Sequence, residues 1–128
     1  MTQRTPDYDA VARTVQLYIE GSRSGSVKLL KQAFHPDAHL AGMLIGEPLI
    51  GPIGMFYDVV ASNPSPADEE VDYQARIASI EIYGDVACAV LIEDGYAGLD
   101  FINHFQLIKL EGEWRIIAKL FQSDMPKS

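Results

Sequence analysis

DFINHFQLIKLEGEWRIIAKLFQS, residues Asp100 to Ser123, is the stretch whose reading decides the fold. Two runs rich in Ile, Leu and Phe flank Glu111-Gly112. A short turn containing glycine between such runs predicts a β-hairpin. With Glu111-Gly112 as the loop, His104 is expected opposite Lys119, Gln106 opposite Ile117 and Ile108 opposite Arg115. Side chains alternate with period two along a strand, so register alone then sorts the faces. One face would carry His104, Gln106, Lys119 and Phe121. The other would carry Phe105, Leu107, Ile116, Ala118 and Leu120. The first mixes polar and apolar groups like a pocket wall, whereas the second is wholly apolar.

Working outward, the rest of the chain reads as follows. Thr5-Pro6-Asp7 combines a capping hydroxyl, a proline and a first-turn acid, the marks of a helix start. Tyr8, Val11, Val15, Tyr18 and Ile19 follow at helical spacing, and Gly21 to Gly25 ends the element. Ser26 caps a shorter helix, which Pro36 stops. Ala38 to Ile45 reads as a strand, Gly46-Glu47-Pro48 as a turn and Leu49-Ile50 as a short return strand. Pro52 opens a third helix, with Ile53, Phe56, Val59 and Val60 buried. From Val71 the period becomes two. The apolar parity switches from Ile77 to Ile80, which predicts a β-bulge at Ala78-Ser79. Val86 to Tyr96 is the next strand. The expected order is α-α-β-β-α-β-β-β-β, an α+β fold with a bent antiparallel sheet shaped like a cone and helices on its concave face. No linker divides the chain, so residues 1–128 are expected to form one domain.

Bulk properties exclude several classes. The chain is 48% apolar and 22% charged, as soluble globular domains are. Net charge is −8, and residues 37–100 hold twelve acidic residues against one basic, Arg76. With no basic stripe to meet phosphates, no nucleic-acid partner is expected. The start, MTQRTPDYDA, has no apolar leader, and no run approaches the ~20 residues of a membrane span. One cysteine, Cys88, excludes an internal disulfide and reads as a small buried hydrophobe in Val86 to Ile92. These features predict a cytoplasmic protein.

Three segments carry a family resemblance: Leu17-Tyr-Ile-Glu-Gly21, Phe34-His-Pro-Asp-Ala38, and Leu107-Ile-Lys-Leu-Glu-Gly-Glu-Trp-Arg-Ile-Ile117. From about Asp7 to Phe121 the chain resembles the nuclear transport factor 2-like superfamily, and most of all the branch called putative lumazine-binding, or SnoaL-like. The resemblance implies the cone fold. It does not imply one reaction, because the superfamily includes ketosteroid isomerase, scytalone dehydratase, polyketide cyclases and proteins without a known role. Carried over residue by residue, the isomerase pattern places Tyr18 at its catalytic tyrosine, Gly42 at its base and Gln106 at its protonated acid. A glycine cannot abstract a proton, so isomerase activity of that type is not expected.

The candidate site residues follow. His104 is the candidate general acid or base, since its ordinary pKa lies near neutrality. Tyr18, Phe34, Gln106, Lys119 and Phe121 are the candidate ligand-binding residues. Lys119 on an inward face needs a partner, either a ligand anion or one of Glu93, Asp94 and Asp100. Glu93-Asp94 reads as a solvated strand end, and Trp114 as packing at a sheet edge. His35, Asp37 and His39 lie close in sequence, but a helix end and a strand start would point them apart, so neither a metal site nor a cofactor is expected. Three functions remain. The first is a pocket protein for an apolar or aromatic small molecule. The second is an isomerase-, dehydratase- or cyclase-type enzyme using His104. The third is a dimeric interaction module with a vestigial pocket. The apolar set Phe105, Leu107, Ile116, Ala118 and Leu120 is expected to form the face of a homodimer.

Overall fold

The computed structural model describes residues 4–126. Its order is α1 (Arg4–Ser24), α2 (Val27–Ala33), β1 (Phe34–Leu44), β2 (Glu47–Pro52), α3 (Gly54–Ser62), β3 (Gln74–Tyr83), β4 (Val86–Tyr96), β5 (Leu99–Leu110) and β6 (Glu113–Asp124). This is the expected succession. Ser26 caps α2, its side chain accepting a hydrogen bond from the Leu29 N–H. Glu111 and Gly112 both adopt positive φ, as a tight hairpin turn requires. Strand β1 begins at Phe34, earlier than its expected start, so Pro36 lies inside it. No helix among the described residues is long and apolar enough to cross a membrane.

The six strands form one sheet in the order β2-β1-β6-β5-β4-β3. The sheet is mixed rather than antiparallel throughout, because β1 enters beside β6 in the parallel sense. The expected bulge in β3 is present, between Ile77 and Ser79. Helix residues Val11, Val15, Tyr18, Leu30, Phe56 and Val60 pack on the concave face against Leu40, Ala89, Leu91, Phe105, Leu107 and Ile116. Trp114 is buried here rather than lying at an edge, and its indole N–H donates to Asp7 Oδ1 at 3.2 Å. Lys109 meets the same oxygen at 3.0 Å. Those two hydrogen bonds, Lys109 first, hold the Asp7 carboxyl below its ordinary range and tie the start of α1 to the β5–β6 hairpin.

The expected hairpin register is corrected by a second bulge. Leu107 pairs with Ile116, but Gln106 pairs with Ala118, so Ile117 is an extra residue in β6. Beyond it every partner moves by one: His104 lies opposite Leu120, and Phe105 opposite Lys119. Ile116 therefore faces inward, and so do Lys119, Phe121 and Ser123, whereas Ala118 and Leu120 face outward. The face proposed for dimerisation is split accordingly. Phe105, Leu107 and Ile116 are core residues beneath the helices, and only Ala118 and Leu120 remain on the outer face. Cys88 is exposed, not buried, because the inward set on β4 is Ala87, Ala89, Leu91 and Glu93.

Gly42 on β1 pairs with Phe121 on β6 and leaves no space for a side chain. A Cβ there would stand 2.4 Å from both the Phe121 carbonyl oxygen and its ring. Besides lacking a base, this position has no room for one. Gly42→Ala should cost about 1–3 kcal/mol of stability, as overpacking does. Urea unfolding measures this, and an unchanged midpoint would contradict the close approach.

Candidate functional site

Strand β4 carries Glu93 inward on the same parity as Ala89 and Leu91, so the cone closes over a carboxyl that is only 1% exposed. Three donors converge on it. The Tyr18 hydroxyl donates to Oε1 at 3.1 Å, the Asn103 amide to the same oxygen at 2.6 Å and the Tyr73 hydroxyl to Oε2 at 2.5 Å. One comes from α1, one from β5 and one from the residue just before β3, so the cluster joins parts of the chain distant in sequence. The Tyr18 hydroxyl is pushed well above the ordinary tyrosine range, first by burial and then by the Glu93 charge beside it. Tyr73 is shifted upward for the same two reasons, and Tyr96 is pushed up to about 12. All three phenols hold their protons across the neutral range. Asn103 is fully buried, and among the described residues its Oδ1 accepts no hydrogen bond.

Lys119 enters the same interior because of the Ile117 bulge. It is 5% exposed. Its Nζ lies 4.3 Å from the ring centroid of Phe121, 4.9 Å from that of Phe56 and 5.9 Å from that of Tyr18. Such faces attract a cation. Among the described residues it makes no ion pair or hydrogen bond. None of Glu93, Asp94 and Asp100 is within ion-pair reach. Burial pushes the ammonium down to about 8, with the charge of Glu93 opposing the shift. Tyr18 connects the two groups, since its hydroxyl bonds Glu93 while its ring faces Lys119. Further rings extend the enclosure: Tyr18 packs against Phe34 and Phe56, and a chain of edge contacts runs Tyr73, Tyr96, Phe101, Phe121. Phe101 and Tyr96 are half-buried and form the rim.

The structure thus brings together four of the sequence candidates, Tyr18, Phe34, Lys119 and Phe121, and separates two. His104 and Gln106 stand exposed on the outer face. There they line a cavity of about 460 Å³ with His39, Ile50, Cys88 and Leu120, on the opposite side of the sheet from Glu93. Sequence reasoning missed Glu93, Asn103 and Tyr73. Glu93 is not a solvated strand end. Its parity with Ala87, Ala89 and Leu91 was the available signal, hidden because Cys88, Val90 and Ile92 make the other parity apolar too. His35 and His39 diverge as expected. The Asp37 N–H donates to His35 Nδ1 at 3.0 Å, while His39 lies on the outer face of β1.

Lys119 makes stability depend on pH with a definite sign. Its folded pKa is lowered, so the unfolded chain binds the extra proton between about 8 and 10.5, and stability rises with pH in that window. Lys119's own share of the rise, read as the difference between wild type and Lys119→Met, should be about 2 kcal/mol between pH 8 and 10. Above pH 10 the raised tyrosines reverse it, because the unfolded chain loses their protons first. Urea unfolding of wild type against Lys119→Met at pH 8 and pH 10 checks this: the variant should lack the rise.

Comparison with known proteins agrees with the fold and narrows the family. The family described as putative lumazine-binding matches residues 6–122. An NTF2-like protein of unknown function from Shewanella baltica superposes with a TM-score of 0.86 at 28% identity, covering 97% of this chain and 98% of that one. Another, from Methylobacillus flagellatus, gives 0.85 at 30% identity, covering 93% of each chain. The aldolase FrzH of a Cladobotryum species is 30% identical over 118 residues, 91% of each chain. With the family match spanning nearly its whole described length and the cone fold beneath it, this chain belongs to the putative lumazine-binding family of the NTF2-like superfamily.

Proposed function

We propose that the chain binds an apolar, aromatic carbonyl compound inside the cone, with Lys119 donating to the carbonyl oxygen and the Glu93 cluster serving proton transfer beside it. The observation that carries this reading is the buried Lys119 ammonium, boxed by Phe121, Phe56 and Tyr18 and met by no oxygen among the described residues. An ammonium removed from water loses several kcal/mol of solvation unless a partner is supplied. A carbonyl oxygen is such a partner, and the aromatic walls suit an apolar body attached to it. The unpaired Asn103 Oδ1 adds an acceptor for a ligand donor. The name of the relative FrzH, an aldolase, supports carbonyl chemistry as the reaction class. Because Glu93, Asn103 and Tyr18 are closed off by side chains, a ligand must displace the rim rings Tyr96 and Phe101 to enter.

The reading is tested by ligand-observed NMR with acetophenone against ethylbenzene, which has no carbonyl. Wild type should prefer the ketone about tenfold, the worth of one charge-assisted hydrogen bond. Lys119→Met should bind both equally. Equal binding by the wild type would sink the reading.

The outer face is proposed as the contact between two copies of this chain, keeping Ala118 and Leu120 of the residues first expected but not the core residues Phe105, Leu107 and Ile116. Met43, Ile50, Ile92, Ile102 and Leu120 are exposed on it, and Leu120 is 56% exposed. The central outward positions of β1, β4, β5 and β6, from His39 to Met43, Cys88 to Ile92, Ile102 to Gln106 and Ala118 to Gln122, hold no Asp, Glu, Lys or Arg. Charge depletion over an apolar centre is the composition of an interface core. A two-fold pairing lets one such patch cover itself. Light scattering should return twice the chain mass, and Leu120→Asp should return the chain mass with the fold intact by circular dichroism. A monomeric wild type at micromolar concentration would end this proposal.

A further inference from the structure

We propose that Lys119 is a nucleophilic catalytic amine, forming a covalent iminium with the aldehyde or ketone bound in the cone. This rests on the reading of the cone as a carbonyl-binding pocket and extends it from hydrogen bonding to bond formation. Three features of the interior point to it. The amine is not spent on a structural ion pair, since no carboxylate among the described residues comes within reach of it. Three aromatic rings surround it, at 4.3 to 5.9 Å from Nζ, and would meet the apolar substituent of a carbonyl compound that displaced part of that contact. The fully buried Asn103 Oδ1 is a second group in the same interior without a partner among the described residues, so two polar atoms there have hydrogen-bonding capacity that a ligand could fill.

The step balances without an added redox partner. The neutral amine's lone pair attacks the carbonyl carbon, a carbon–nitrogen bond forms, and the π pair moves to oxygen. That oxygen takes up the proton the nitrogen loses. A second proton lets it leave as water while the nitrogen lone pair closes the C=N bond. The resulting iminium acidifies the neighbouring carbon, whose proton can then be lost to give an enamine carbon nucleophile. Hydrolysis consumes one water and returns the lysine. Glu93, hydrogen-bonded to Tyr18, Tyr73 and Asn103, is assigned as the acid–base group, its charge acting on the amine across the interior. An ammonium cannot attack, and burial supports the role by lowering Lys119 to about 8, against the pull of Glu93. At pH 7 about a tenth of the amine is then neutral, far more than of a solvated lysine.

The experiment uses benzaldehyde, small enough for a closed interior, with sodium cyanoborohydride at pH 7, followed by peptide mass mapping. Reduction fixes any iminium as a benzyl group on nitrogen. Lys119 should be labelled about tenfold or more faster than the exposed Lys28 and Lys31, against the order that accessibility alone would give. Labelling of those surface lysines with Lys119 unmodified would overturn the proposal. Lys119→Arg, which keeps the charge and the stem but cannot form the iminium, should lose the interior label while folding normally by circular dichroism. Benzyl alcohol, of the same shape but without a carbonyl, separates the two readings. If it binds the wild type in competition with acetophenone and Lys119 still escapes labelling, the pocket stands and the amine step falls.

Discussion

A carboxyl group inside an apolar cone has lost the water that would have solvated it, and the protein around Glu93 supplies the replacement. Leaving such a group unpaired would cost several kcal/mol, a large share of a small domain's net stability. Two tyrosine hydroxyls and one amide meet its oxygens. Each donor comes from a different part of the chain, so none can be placed until the helix and the strands have packed. The carboxyl in turn fixes how α1 lies across the sheet, because Tyr18 must reach it. Its satisfaction and the cone's assembly are therefore one condition. Removing a single donor is expected to loosen the packing of the others, since a half-satisfied buried network is less favourable than an apolar one.

The lysine depends on a different constraint, the one extra residue at Ile117. Without that bulge the alternation of β6 would send Lys119 outward with Ala118's neighbours and bring Leu120 into the core. That would give an apolar interior and a charged outer face, the arrangement of an ordinary half-buried sheet. The bulge inverts this arrangement. It puts an ammonium among Phe56, Phe121 and Tyr18 and leaves Leu120 in solvent. Both departures cost stability in the isolated chain. A residue placed against the rule of burial without a protein partner is the kind of local conflict that functional sites carry.

Much of the fold was legible because its punctuation is local. Gly112 and Glu111 mark the last turn, Ser26 marks α2, and the parity switch from Ile77 to Ile80 reveals the bulge in β3. The β6 bulge left no such mark. Ile116, Ile117 and Ala118 are all apolar, so an extra residue among them changes no pattern, yet everything after it moves to the other face. That is why His104 and Phe121 were expected together and are found apart; Phe105, Leu107 and Ile116 lie before the bulge in the chain, and they were expected outside because the mixed face of His104 and Gln106 reads as a pocket wall. Glu93 was hidden for a related reason. Both faces of β4 are apolar, and a charge at a strand's end ordinarily marks solvent. The partners that make its burial tolerable, Tyr18 and Tyr73, lie 75 and 20 residues away, beyond any local pattern.

The two faces of the sheet pose separate physical problems. The outer cavity of about 460 Å³ around His104 and Ile50 is open apolar surface, suited to being covered. The interior holds, among the described residues, a carboxyl with three donors, an ammonium with no acceptor and an amide oxygen left over. Closure favours that chemistry, because charge interactions strengthen where water is excluded and an amine is driven toward its neutral form. It also opposes entry. The edge-on rings of Tyr96 and Phe101 form the part of the enclosure that is only half-buried, so opening there disturbs the fewest core contacts. A ligand with an aromatic body can replace the ring contacts it displaces, whereas a polar ligand of the same size cannot. On the proposed reading, the rim rings Tyr96 and Phe101, distinct from the rings around Lys119, set what is able to reach it.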